Sequence, residues 1–177
     1  PVPAADWLTA LQTNAPEGLR WFQPTDVHLT VAFLGPMNPA NRQAVVEQMQ
    51  QVMHQPIPIR LATMIALPSE RNFSAISLKI SAGNEIVSQL MAQWRGAFCQ
   101  AAEARPDSRP PLPHITVARP RRDASFGQRK AILDWVENCP VPAAELVVDS
   151  ITLYTWADDR SHRQFKIVAS RRLDASL

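Results

Sequence analysis

The sequence His-Leu-Thr-Val-Ala at residues 28–32 returns as His-Ile-Thr-Val-Ala at residues 114–118, roughly half the chain further on. The two copies differ only by the exchange of leucine for isoleucine. An amphipathic helical pattern follows each copy, at residues 39–54 and 126–138. We interpret the repeat as a duplication in which each half of the chain forms one lobe around its own copy of the motif.

Each copy has a polar face and an apolar face. Residues i and i+2 of a strand point to the same side, so His28 and Thr30 share one face, as do His114 and Thr116. The branched apolar residues between them point to the other side, into a core. A pseudo-twofold relation between the lobes would bring the two polar faces together across a cleft.

Two facing imidazoles suit displacement at phosphorus. One removes a proton from the attacking oxygen and the other delivers a proton to the leaving oxygen, near the unperturbed histidine pKa of about 6.5. The threonine hydroxyls can bind the phosphoryl oxygens, where charge develops. A single histidine on a strand is more often a structural residue, but a matched pair, each with a threonine on the same face, favours catalysis by His28 and His114.

The remaining pattern predicts an α+β fold with antiparallel pairing, because strands and helices come in mixed order and hairpins are indicated. Residues 1–177 are expected to form a single domain made of two lobes, since no linker is long enough to separate domains. Helices are predicted at residues 4–13, 39–54, 84–104 and 126–138, and strands at residues 27–34, 57–67, 73–80, 113–118, 145–156 and 163–169.

Composition limits the cellular setting. Apolar residues make up 46% and charged residues 19% of the 177-residue chain, as in globular proteins. No membrane span and no secretory signal are visible, and two cysteines suit a reducing cytoplasm. We expect a monomer in the cytoplasm. We also expect that it needs no cofactor and no metal, because the sequence has neither a phosphate-binding glycine loop nor a zinc-like spacing of Cys and His.

The motifs His28 to Gly35 and Pro113 to Pro120 resemble those of the 2H phosphoesterase superfamily, which is named for its two His-x-Thr-x motifs. Within it, the chain is most similar to the bacterial and archaeal RNA 2′,3′-cyclic phosphodiesterases, also called 2′-5′ RNA ligases. The stretches Trp21 to Gly35, Pro111 to Pro120 and Ser150 to Trp156 carry this resemblance.

The resemblance implies a bilobal fold with antiparallel sheets around a central cleft and helices outside. It also implies metal-independent hydrolysis of RNA 2′,3′-cyclic phosphate ends to 2′-phosphates. His114 would activate water and His28 would protonate the departing 3′ oxygen, although the near-symmetric motifs do not fix this order. Thr30, Thr116 and Arg119 would bind the phosphate of an RNA end or of a small nucleotide analogue.

Members of that family open with an apolar strand before the first helix, whereas this sequence starts at Pro1, almost at the helix. The number of strands is therefore left open.

Strand parity raises a question about Arg119 and Phe33, which each follow their histidine by five residues. In a regular strand both would face away from the cleft. Either a bulge turns these residues inward or the strand has already ended, and Pro120 favours an ended strand at Arg119. A core position is favoured for Phe33, with base stacking as the alternative.

Further RNA contacts are predicted around the second motif and near the end of the chain. Arg121 and Arg122 could form a track for RNA phosphates together with Arg105 and Arg109, or could be a solvated basic loop. Tyr154 and Trp156 could stack on a base, although at least one of them is expected in the core.

Two other activities are compatible with the motifs. The first is 2′-5′ RNA ligation or cleavage of a 2′-5′ oligonucleotide, which would use the same cleft chemistry. The second, of another class, is RNA-end binding without catalysis, which would not need two proton-transfer groups.

Overall fold

The structure is a computed structural model that describes residues 1–105, 107–160 and 162–173. Its two sheets are antiparallel at every strand pair, which confirms the predicted α+β class. The helices are α1 (Ala5–Thr13), α2 (Pro39–Gln50), α3 (Asn84–Ala101) and α4 (Phe126–Asn138). The strands are β1 (Leu19–Trp21), β2 (Ile57–Leu67), β3 (Ala75–Ile80), β4 (His114–Pro120), β5 (Glu145–Val148), β6 (Ser150–Trp156) and β7 (Phe165–Arg172).

The larger sheet has the strand order β1-β4-β3-β2-β5, and β6 pairs with β7 in a separate two-stranded sheet. Both predicted hairpins, β2–β3 and β6–β7, are confirmed. The second copy of the motif forms β4, which lies inside the larger sheet between β1 and β3. Ile115 and Val117 of β4 are fully buried, as the alternation of the motif predicts.

Local signals place the helices. Ser125 and Gln128 form a reciprocal capping box at the start of α4. Asn38 caps α2 by accepting the Asn41 N–H at 2.8 Å, and Pro39 occupies the first helical position, where its missing N–H costs nothing. These signals explain why the predicted starts of α2 and α4 are confirmed.

The prediction of one strand over residues 145–156 is wrong. The chain breaks at Asp149 into β5, which pairs with β2, and β6, which pairs with β7. The Asp149 carbonyl accepts the Leu173 N–H at 2.7 Å, and its carboxylate accepts the Ser150 hydroxyl at 3.1 Å. These bonds hold the point at which the chain passes from one sheet to the other.

Candidate active site

The two copies of the motif lie side by side. Leu29 forms an isolated antiparallel bridge with Ile115 of β4. Because directly opposite residues share a face, this register sets His28 against Thr116 and Thr30 against His114 on the other face. Each histidine therefore lies beside the threonine of the other copy.

The prediction of a strand over residues 27–34 is wrong, because the Leu29 bridge is the only ladder contact described for this segment. The segment before the first motif occupies most of the edge of β4 that faces away from β3. β1 pairs with Ala118–Pro120, and the Phe22 N–H donates to the Val117 carbonyl at 2.9 Å. The short 3-10 turn Pro24–Asp26 then loops out. Only the first part of β4 is left for the first motif.

Both histidines make the same backbone hydrogen bond. His28 Nδ1 lies 2.6 Å from the carbonyl oxygen of Asp26, and His114 Nδ1 lies 2.6 Å from that of Leu112. A carbonyl can only accept, so each Nδ1 carries a proton and donates it. Each Nε2 is thus available to take up or release a proton.

His28 is enclosed by rings. Tyr154 of β6 packs on it with ring centroids 5.1 Å apart, and Phe165 of β7 meets it nearly edge-on at 5.4 Å. Burial in this setting lowers the pKa of His28 below its ordinary value, against a smaller opposing effect of the Asp26 carbonyl. The charge of His114 lowers the pKa of His28 further, by a smaller amount than burial does.

Asp26 fixes the turn that precedes His28. Its side chain is almost fully buried, and its two carboxylate oxygens accept the backbone N–H groups of Gln164 at 2.8 Å and Phe165 at 3.1 Å. Because the carbonyl of the same residue holds His28, Asp26 joins the first motif to the start of β7. The carboxylate is thus a structural anchor rather than a proton-transfer group.

Strand β3 adds two polar side chains to the face that carries the motifs. Ser77 lies opposite Thr116, is fully buried, and has its hydroxyl 3.0 Å from the Thr116 hydroxyl. Lys79 lies opposite His114 and places an exposed cation on the same face. The polar face thus extends over β3, β4 and the first motif.

Arg119 is turned toward the cleft by a bulge. The β3–β4 register shifts between the pairs Ile76–Ala118 and Ser77–Thr116, so β4 has one extra residue at Val117. That residue breaks the alternation. Of the two explanations offered by the sequence, the bulge is the one observed.

Arg119 is half-buried, and its guanidinium lies 5.9 Å from the ring centroid of Phe22. Burial, followed by the charges of Arg20 and Arg160, lowers its pKa. The guanidinium remains a cation at neutral pH, because the ordinary pKa of arginine lies far above neutrality.

A cavity of about 610 Å³ adjoins the motifs. His28, Thr30, Thr116 and Arg119 line it together with side chains from α2 and α3, most of which are apolar. His114 is not among the lining residues and lies beyond Thr30 in the register. The volume is in the range of small-ligand sites.

The other predicted contact residues differ in position. Phe33 is 79% exposed at the cavity, so the favoured core position is wrong. The alternation of side chains along a strand does not apply to Phe33, because its segment is not a regular strand.

Tyr154 and Trp156 line the cavity. Arg121 and Arg122 are exposed in the turn after β4, and their contact with RNA stays a prediction.

In the loop before β4, Arg109 is held by a bidentate pair with the Asp107 carboxylate, at 2.9 and 2.7 Å. Its fork is therefore occupied by a neighbouring carboxylate.

Sequence reasoning missed five residues around the site. Ser77 and Lys79 alternate with the apolar residues of β3. This alternation indicates a polar face of the strand, but it does not reveal that the face lies beside Thr116 and His114 of β4. Arg20 lies opposite Arg119 in the β1–β4 register, which a three-residue strand does not reveal. The remaining two are Asp26 and Arg160.

Within the described ranges, we find no group of three or more His, Cys, Asp or Glu side chains that could hold a metal ion. None of the described helices is long and apolar enough to cross a membrane.

Comparison with known proteins agrees with this architecture. The model of the 2′-5′ RNA ligase superfamily matches residues 1–160. Curated protein sequences give no significant match.

Solved structures match over nearly the whole chain. TT0787 of Thermus thermophilus has a TM-score of 0.71 at 19% identity, covering 96% of this chain and 91% of its own. LigT of Escherichia coli in complex with 3′-AMP has a TM-score of 0.69 at 18% identity, covering 97% and 89%. LigT in complex with NADP+ has a TM-score of 0.69 at 19% identity, covering 95% and 89%.

These likenesses confirm the predicted fold of the 2H phosphoesterases, in which antiparallel sheets combine with helices. The chain belongs to the 2′-5′ RNA ligase superfamily. Membership indicates an enzyme that acts on phosphodiester bonds.

Proposed function

We propose that this protein hydrolyses RNA 2′,3′-cyclic phosphate ends to 2′-phosphates, with His28 and His114 as its catalytic residues and without a metal. The observation that carries the proposal is the equivalent hydrogen bond of the two histidines, each of which donates from Nδ1 to a carbonyl two residues earlier. Binding alone does not require two such oriented proton-transfer groups.

In the proposed reaction, His114 Nε2 takes a proton from water, and the water oxygen forms a bond to phosphorus. The bond from phosphorus to the 3′ oxygen breaks, and His28 Nε2 gives its proton to that oxygen. The products are a 2′-phosphate and a free 3′ hydroxyl. The histidines exchange their protonation states and are reset by proton exchange with solvent.

The threonines and Arg119 bind the phosphate in this scheme. Thr30 and Thr116 lie opposite the two histidines in the register, and in this scheme their hydroxyls donate to the phosphoryl oxygens. Arg119 lines the same cavity and supplies a fork that matches two phosphoryl oxygens. The structures of LigT with 3′-AMP, ATP and NADP+ support a nucleotide ligand for this fold.

The test is incubation of an RNA oligonucleotide ending in a 2′,3′-cyclic phosphate with the protein in EDTA, with the position of the product phosphate determined by NMR. We expect a 2′-phosphate. His28→Ala and His114→Ala should each lower kcat by about a hundred- to ten-thousandfold. Arg119→Ala should mainly raise KM.

A 3′-phosphate product, or unchanged turnover in either histidine variant, would contradict the proposal. Tight RNA binding without turnover would favour a binding module. Joining of 2′,3′-cyclic phosphate and 5′-hydroxyl ends under the same conditions would favour ligation.

A further inference from the structure

Contacts between aromatic rings lead from His28 to Phe165 and branch there. Each of the two branches ends at an arginine. Phe165 meets the His28 ring and stacks on Trp156 with centroids 5.1 Å apart. Phe22 contacts Phe165 at 6.2 Å. Arg119 lies over Phe22, and Arg160 lies 4.3 Å from the centroid of Trp156. We call Phe22, Phe165, Trp156, Arg119 and Arg160 the arginine-flanked wall.

The guanidinium groups of this wall keep their hydrogen-bonding capacity. A guanidinium that packs on a ring uses its face, so its N–H donors remain available at its edge. Across the described residues, neither Arg119 nor Arg160 forms an ion pair with a carboxylate. The carboxylate of Asp158, two residues before Arg160, is bound by Lys166 at 2.7 and 3.0 Å.

Arg20 adds a third cation. It lies directly opposite Arg119 in the β1–β4 register, and it too forms no ion pair within the part of the chain that the structure describes. Like charges directly opposite each other destabilise a sheet. An anion bound between them would relieve that repulsion.

We propose that Arg20, Arg160 and the ring of Trp156 form a second phosphate subsite, for the phosphodiester that joins the terminal nucleoside of the RNA to its 5′ neighbour. This inference rests on the proposed function. It makes the substrate an oligonucleotide rather than a mononucleoside cyclic phosphate. Arg119 stands between the two phosphates, since it lines the catalytic cavity and also faces Arg20.

Trp156 does not act here as a free stacking surface. Its ring already contacts Phe165 and Arg160. Its role in the subsite is to hold the Arg160 guanidinium in one orientation, which reduces the entropy lost when phosphate binds.

The test compares kcat/KM for a short RNA ending in a 2′,3′-cyclic phosphate with kcat/KM for cytidine 2′,3′-cyclic phosphate. We expect Arg160→Gln to lower the ratio of these two values about tenfold, and Arg20→Gln to lower it in the same direction. Arg160→Lys should give an intermediate ratio, because it keeps the charge but not the fork.

Arg172→Gln is the matched control. It removes the same charge at the opposite end of the β6–β7 hairpin, where Arg172 is exposed and pairs with Asp149 at 3.5 Å. We expect its ratio to equal that of the parent protein. An unchanged ratio in Arg160→Gln, or an equal fall in Arg172→Gln, would overturn the subsite.

A binding measurement separates this inference from the proposed function. The probe is a fluorescent RNA that already ends in a 2′-phosphate, titrated at several salt concentrations. Each lost phosphate contact should reduce the slope of log Kd against log salt by about 0.7. If neither cyclic substrate turns over, the proposed function fails, but a smaller slope in Arg160→Gln alone would still support the subsite. Equal slopes in Arg160→Gln and Arg172→Gln would refute it.

Discussion

His28 and His114 make the same backbone hydrogen bond in different surroundings. Tyr154 and Phe165 cover His28, and burial lowers its pKa. A lowered pKa favours the neutral imidazole, whereas the proposed role of His28 as an acid requires the protonated form. Phosphate bound beside it would act in the opposite direction, because a nearby anion stabilises the imidazolium. Substrate binding is therefore expected to prepare His28 for its role.

The change in the pKa of His28 on substrate binding predicts that the pH profiles of kcat/KM and of kcat differ. As an acid, His28 loses activity when the pH rises through its pKa. The profile of kcat/KM reports the free enzyme, so its basic limb should lie below the ordinary histidine pKa of about 6.5. The profile of kcat reports the complex, so the same limb should lie at higher pH.

Both profiles can be measured with an RNA 2′,3′-cyclic phosphate, and the residual activity of His28→Asn identifies the limb that belongs to His28. Loss of the basic limb in this variant would support the acid role. Loss of the acidic limb would show that His28 is the base and that the two histidines exchange roles.

Ser77 is a positioning residue for Thr116. The two hydroxyls lie 3.0 Å apart, and Ser77 is fully buried, so its hydroxyl orients that of Thr116. Ser77→Ala should lower kcat by about two- to tenfold, the cost of one neutral hydrogen bond, with little change in KM for cytidine 2′,3′-cyclic phosphate. Ser77→Thr, which keeps a hydroxyl, should retain more activity.

Ser81→Ala is the control for this prediction, because Ser81 is exposed just after β3 and its hydroxyl donates only a long hydrogen bond, of 3.4 Å, to the Arg60 carbonyl. Circular dichroism should show that both alanine variants are folded. An unchanged kcat in Ser77→Ala would exclude the positioning role.

At the scale of elements, alternation along the chain predicts the extent of a strand better than its irregularities. The bounds of β2 agree with the prediction, although its register shifts between Leu61 and Met64, so that Met64 rather than Ile65 is buried. The bounds of α4 agree because its capping box is local. The bulge at Val117 could not be found in this way, since it is defined by the partner strand β3.

The first motif shows the same limit. Residues 28–34 have the composition of a strand, yet β1 already occupies most of the available edge of β4. The break at Asp149 likewise depends on pairing with two different sheets. Competition for a sheet edge is a tertiary effect that the sequence of one segment does not contain.

At the scale of the molecule, the sequence predicted the fold class, and the repeat led to four residues that the structure brings together, while their catalytic and phosphate-binding roles stay a prediction. It did not predict Arg20, Arg160, Asp26 or Ser77, which reach the site through pairing and turns. These four residues lie outside the repeated motif, so the sequence holds no repeat that would indicate them.

The two sheets share one hydrophobic core. Ile115 of β4, Leu153 of β6 and Leu173 belong to the same buried cluster. Polar contacts to more distant parts of the chain also hold the β6–β7 hairpin: Asp26 binds the start of β7, and Arg171 of β7 donates to the Met49, Gln50 and Val52 carbonyls at the end of α2. The larger sheet combines β1, β2 and β3 of the first half of the chain with β4 and β5 of the second half, so the halves do not form separate lobes. We therefore propose that the two sheets form one domain.

One domain predicts a single cooperative unfolding transition, in which damage to one connection destabilises the whole molecule. Arg171→Met keeps the apolar stem but removes the donors to three carbonyls, and should lower the free energy of unfolding by about 1–3 kcal/mol. Arg172→Met, at an exposed neighbouring position, should change it by less than about 0.5 kcal/mol. Urea unfolding is followed by far-ultraviolet circular dichroism and by tryptophan fluorescence. For the parent protein and for each of the two variants, the curves from the two probes should coincide. Separate transitions from the two probes in Arg171→Met would show that the hairpin unfolds on its own and that the two sheets do not form one domain.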